Sequence, residues 1–106
     1  MGFYPLLLDL SGRRAVVVGG GAVALRRTRG LLAAGASVAV IAPAVLPELA
    51  ELSEVAVSLR GYVDGDLDGA WLVHACTDDP AVNAAVAAEA ERRQRRHSPD
   101  ALCLNR

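Results

Sequence analysis

Lysine is absent from this chain: all eleven of its basic side chains are arginines. A Walker-type phosphate loop, a Schiff-base nucleophile and a tyrosine–lysine reductase pair each need a lysine amine, so three chemistries are excluded together. Histidine and cysteine are almost as scarce. Cys76, Cys103, His74 and His97 make too small an inventory for a structural zinc site. An excess of either charge is missing too, since eleven basic residues against twelve acidic ones leave a net charge of −1. That balance argues against nucleic acid or an anionic membrane as the main partner. No charged-then-apolar leader opens the chain and no apolar run reaches membrane length. The expected compartment is the cytoplasm, with both thiols reduced.

What is present suits one compact domain spanning residues 1–106, with 53% hydrophobic residues to build a core. Arg14 to Val18 is a short apolar run ending in glycines, the pattern of a strand buried on both faces. Ala24, Thr28, Leu31 and Leu32 then recur at helical spacing, with Arg26, Arg27 and Arg29 off that stripe and Gly35 where a C-cap belongs. Ser37 to Ile41 predicts a second strand ended by Pro43, Leu46 to Leu52 a short helix, Val55 to Arg60 a third strand and Ala70 to Ala75 a fourth. Asp79-Pro80 marks a helix start, with Asp79 as cap and Pro80 in the first turn. The helix that follows carries Val82, Val86 and Ala90 on one face, and Glu89 with Arg93 and Glu91 with Arg95 as i,i+4 pairs. Ala101 to Asn105 completes the series as a fifth strand. Strands alternating with helices imply a Rossmann-like, doubly wound α/β fold with a parallel sheet of about five strands.

Gly19-Gly20-Gly21-Ala22-Val23-Ala24 holds a G-x-G-x-x-A spacing directly after the first strand and directly before the first helix. Gly19 makes the tight turn, Gly21 lets backbone approach a pyrophosphate, and Ala24 lets helix pack closely on strand. Free amides at the helix start then meet phosphate charge. The acidic residue expected about twenty positions later, on the adenosine ribose, is replaced by Ile41-Ala42-Pro43. No arginine stands there either, so NAD is favoured over NADP and ribose contacts fall to backbone around Ala42 to Ala44. In strand order 3-2-1-4-5, Thr77, Asp78 and Asp79 leave the fourth strand facing the glycine loop.

The stretches Pro5 to Arg13, Val17 to Arg26 and Leu31 to Ala36 resemble the N-terminal domain of siroheme synthase, the precorrin-2 dehydrogenase family. Asp66 to Val73, Ala75 to Asp79 and Val82-Asn83 match too, in the family's order. The resemblance implies NAD-dependent oxidation of precorrin-2, a tetrapyrrole, to sirohydrochlorin, with ferrochelatase activity and a homodimer in the complete family protein. Carried over by position, the cofactor-binding residues are Gly19, Gly20, Gly21, Ala22 and Val23, then Pro43 and Ala44, then Thr77 and Asp78. The family's catalytic aspartate falls a few residues after the fifth strand, beyond Arg106, and Asp100 precedes that strand. The resemblance therefore implies a cofactor-binding part that does not turn over substrate alone, with no catalytic residue assigned in this chain. A non-catalytic NAD(H)-binding regulatory module is the reading from another class.

Four further features carry less. Asp64-Gly65-Asp66-Leu67-Asp68-Gly69 opens like a calcium loop, but the glutamate due at its twelfth position is Ala75, which leaves a solvated turn. His74, late in a strand, reads as a core histidine. Cys76 and Cys103, near the ends of neighbouring strands, read as ordinary buried thiols, with an approach to each other as the alternative. The arginines from Arg92 to Arg96 read as a dipole-compensating helix end, with docking of tetrapyrrole carboxylates as the alternative.

Overall fold

The computed structural model describes residue 7, residues 9–96 and residues 103–105, the side chains of residues 94–96 and 103–105 excepted. Its elements run β1 (Arg14–Val18), α1 (Ala22–Ala33), β2 (Ser37–Ala42), α2 (Pro47–Ala50), β3 (Ala56–Leu59), β4 (Leu72–Ala75), α3 (Pro80–Arg96) and β5 (Cys103–Asn105). The sheet has five strands in the order β3-β2-β1-β4-β5, and every pairing is parallel. Among the described residues no helix is long and apolar enough to cross a membrane.

Alternation along β1 divides the core in two. Ala15 and Val17 join Leu25 and Leu31 of α1, Val38 and Val40 of β2, and Leu49 of α2 on one face. Val16 and Val18 join Ile41, Leu67, Val73 and Ala75 with Val86 and Ala90 of α3 on the other. A strand buried on both faces needs apolar side chains at consecutive positions, which is why β1 reads as an unbroken run. Complete burial of each valine contributes about 1.5–3 kcal/mol. The α3 face is the one that Val82, Val86 and Ala90 foreshadow.

The first helix ends as its sequence requires. Gly35 takes a φ of +83°. The Gly35 amide donates to Leu32 O and the Ala36 amide to Leu31 O, each at 3.0 Å, the paired bonds of a Schellman motif. The Asp79 carboxylate caps α3 by accepting from the Ala81 amide at 2.9 Å.

Several elements differ from expectation in detail. The short helix is trimmed to Pro47–Ala50, β3 to Ala56–Leu59, and β4 begins at Leu72 rather than Ala70. Trp71 still donates its amide to Arg14 O at 2.7 Å, extending the ladder by one residue. The approach of Cys76 to Cys103 is overturned by register. Cys103 pairs with Leu72, four residues before Cys76, which at about 3.3 Å per residue separates them along the strand direction by roughly 13 Å. The Glu91–Arg95 pair, His97 and Asp100 involve side chains or residues outside those described.

The acidic turn is not merely solvated. Asp64 pairs with Arg92, Asp66 with Arg60 and Asp68 with Arg93. The arginine end of α3 therefore holds the β3–β4 loop. Arg93 lies thirteen residues from Pro80, about 20 Å along the helix axis from the end that faces the glycine loop.

Candidate functional site

Three strands finish level with one another. Val18 pairs with Ile41 on one side and Ala75 on the other, so the loops after β1, β2 and β4 meet at one sheet edge. Chain direction separates there, because β1 feeds α1 on one face and β4 feeds α3 on the other. The result is a cleft of about 700 Å³ lying where the strand order reverses, within the size range of small-molecule sites. Gly19, Gly20, Gly21, Ala22, Val23, Pro43, Ala44, Thr77 and Asp78 all line it.

The glycine loop is tied at both sides. Gly19 donates to Ile41 O at 2.9 Å, Cys76 donates to Val18 O at 2.8 Å, and Leu46 donates to Gly20 O at 2.9 Å. Gly19 has a φ of +137°, and a Cβ there would stand 2.7 Å from Cys76 O. The tight turn expected at Gly19 is therefore present, forced by β4 as well as by backbone angle. Gly21 differs: a Cβ on it would meet nothing within 4 Å, since it looks into open space.

Gly20 is the residue that sequence reasoning missed as a structural necessity. A Cβ there would lie 2.0 Å from Ala44 O and 2.9 Å from Val45 Cα. The G-x-G-x-x-A pattern admits any residue at this place; the run of three glycines was the available signal. Because Gly20 has no side chain, the Pro43–Leu46 loop can fold against it and form the near wall of the cleft.

At the start of α1, Gly21 is an extended N-cap with no side-chain cap, and the first turn carries no acidic residue. The first intrahelical bond runs from Leu25 N–H to Gly21 O at 3.0 Å. The amides of Ala22, Val23 and Ala24 precede it and have no helical acceptor. A helix end with neither cap nor carboxylate retains its positive field, which an anion completes.

The opposite wall is organised by Asn83. Its Oδ1 lies 2.7 Å from Thr77 Oγ1 and 3.2 Å from the Thr77 amide, while its Nδ2 donates to Thr77 O at 3.0 Å. Thr77 Oγ1 also accepts from the Asp79 amide at 3.2 Å. The hydroxyl of Thr77 is thus occupied in holding the loop, and Asp78 and Asp79 are the exposed acidic residues beside it. Burial pushes the Cys76 thiol above its ordinary value, against a smaller opposite pull from Arg27, which disfavours the thiolate. His74 lies buried on β4 and does not line the cleft; burial first, then Arg27, lowers its pKa.

Rossmann-type dinucleotide-binding domains are the class in which this strand order, glycine spacing and open helix end occur together. Within that class, a family model described as "Putative NAD(P)-binding" matches residues 6–98, and the chain belongs to that family. It is similar to siroheme synthase of Pseudomonas fluorescens, at 50% identity over 98 residues, covering 88% of this chain and 21% of that protein. Siroheme synthase of Chromobacterium violaceum is 53% identical over 96 residues, covering 88% and 20%. The chain thus spans about a fifth of the length of these relatives. Among solved structures, "SirC, precorrin-2 dehydrogenase" superposes with a TM-score of 0.79 at 34% identity, covering 98% of this chain and 49% of that one.

Proposed function

We propose that this chain binds NAD in the crevice between β1 and β4 and is the cofactor-binding part of a cytoplasmic precorrin-2 dehydrogenase of siroheme biosynthesis. The observation that carries the cofactor reading is the uncapped start of α1 directly after Gly21. The relatives, named siroheme synthase and precorrin-2 dehydrogenase, support the substrate. Ferrochelatase activity and a homodimer belong to the same proposal for the complete protein.

The residues present fit the cofactor. The amides of Ala22 and Val23 receive the diphosphate, Gly21 leaves room for it, and the Pro43-Ala44 backbone flanks the adenosine ribose. The charged side chains among the described lining residues are Asp78 and Asp79, both acidic. A 2′-phosphate on the ribose beside Pro43 and Ala44 would find no arginine among those lining residues to receive it, which favours NAD over NADP. NAD supplies the hydride acceptor for removing hydrogen from the macrocycle. This chain's own part is to bind and orient: the Thr77–Asn83 bonds fix the wall after β4, and apolar lining excludes water.

Titration calorimetry with NAD and NADP tests the binding half, with NADP expected at least roughly tenfold weaker. Grafting this chain in place of the matching stretch of the Pseudomonas fluorescens protein tests the other half. The chimera is expected to form NADH when given precorrin-2. A folded chimera that binds NAD and forms none would overturn the substrate assignment.

A further inference from the structure

Tyr62 reaches the cleft from the β3–β4 loop, far in sequence from the glycines. Among the described lining residues it is the only aromatic one. Its ring packs on the cluster that holds Val18, Ile41 and Val86. Tyr62 follows β3, the strand outside β2, and it lines the cleft together with Ile41 and Ala42 from the end of β2, so the ring enters the cleft from the side where β2 ends. In a dinucleotide bound across such a sheet that side receives the adenosine half, because the end of β2 meets its ribose.

The ring is held from behind by a buried carboxylate. Tyr62 donates its hydroxyl to Glu89 Oε1. Glu89 is 2% exposed and also accepts from the Gly65 amide at 3.1 Å, the Leu67 amide at 3.3 Å and Arg93 Nε at 2.6 Å. Burial works against its charge, but the bonds from Tyr62, Arg93, Gly65 and Leu67 outweigh it and keep the carboxyl below its ordinary value. Burial, then Glu89, raises the pKa of Tyr62, so its hydroxyl remains a donor. A desolvated carboxylate needs this many donors to persist, and together they fix one place for the ring.

We propose that the Tyr62 ring is the surface on which the adenine base of the dinucleotide packs, with Glu89 as the positioning residue that holds it there. This rests on the NAD reading above and adds the base-binding residue to it. A flat heteroaromatic base gains from an aromatic face by stacking, an effect that aromatic truncation reads as roughly tenfold or more in affinity.

The test uses the full chain with NAD, AMP and NMN. Tyr62→Phe, which keeps the ring but loses its bond to Glu89, is expected to bind NAD about threefold more weakly than the parent, and Tyr62→Leu, which loses the ring as well, about tenfold more weakly. Glu89→Gln is expected to weaken AMP while sparing NMN; general loosening of the fold would weaken both. In the parent chain, whose fold no substitution disturbs, AMP should shift the Tyr62 ring-proton resonances and NMN should not. Unchanged affinity in a folded Tyr62→Leu chain, or ring resonances indifferent to AMP, would overturn the proposal while leaving NAD binding intact. A parent chain that binds neither NAD nor AMP would instead remove the reading beneath it.

Discussion

A single methyl group at position 20 would have to displace backbone, because Ala44 O and Val45 Cα occupy its space. Backbone cannot swing aside as a long side chain can, so the Pro43–Leu46 loop must move off the glycine loop. Gly20→Ala is therefore expected to cost about 1–3 kcal/mol of stability and at least roughly tenfold in NAD affinity, read by thermal melting and calorimetry. His74 supports a second prediction at this scale. Its folded pKa lies below the ordinary 6.5, chiefly through burial and secondarily through Arg27. Between the folded and unfolded values the unfolded chain binds the extra proton. Stability is thus present above 6.5 and lost as pH falls toward the folded value. Melting temperature should fall as pH drops from about 7.5 to 5, and His74→Leu should flatten that dependence. An identical slope in the variant would assign the effect elsewhere.

Helix α1 contains Gly30 on its exposed side, where a Cβ would meet nothing within 4 Å. Gly30→Ala removes backbone freedom from the unfolded chain at no packing cost, so thermal melting should show a gain of about 0.5–1 kcal/mol. Asp79→Ala removes the α3 cap and is expected to cost about 1 kcal/mol by the same measurement. Gly35, Asp79 and Pro80 were legible in the sequence because a helix end is decided by residues within one turn of it. Glu89 was legible only as the partner of Arg93, four residues on. Its other donors, Tyr62, Gly65 and Leu67, lie 22 to 27 residues away. No local pattern encodes that meeting, which exists only once α3 lies against the β3–β4 loop. The same holds for the three aspartates of that loop, whose arginine partners come from β3's exit and from α3.

At the scale of the molecule, strand order and crevice follow from alternation of strand and helix signals, since a right-handed parallel crossover leaves few other arrangements. The register of β5 was not legible. Pairing of Cys103 with Leu72 depends on how far the chain runs beyond α3, and it separates two cysteines that both sit near strand ends in sequence. What joins every scale is the open end of α1. Gly20 shapes the wall beside it, the level ends of β1, β2 and β4 place it at the crevice, and the Thr77–Asn83 bonds fix the facing loop. The most direct test follows the backbone amide resonances of Gly21, Ala22 and Val23 by NMR as NAD is added. These amides are expected to shift and saturate together with one dissociation constant. Amides that stay still while NAD binds elsewhere, or while no site saturates at millimolar NAD, would contradict it.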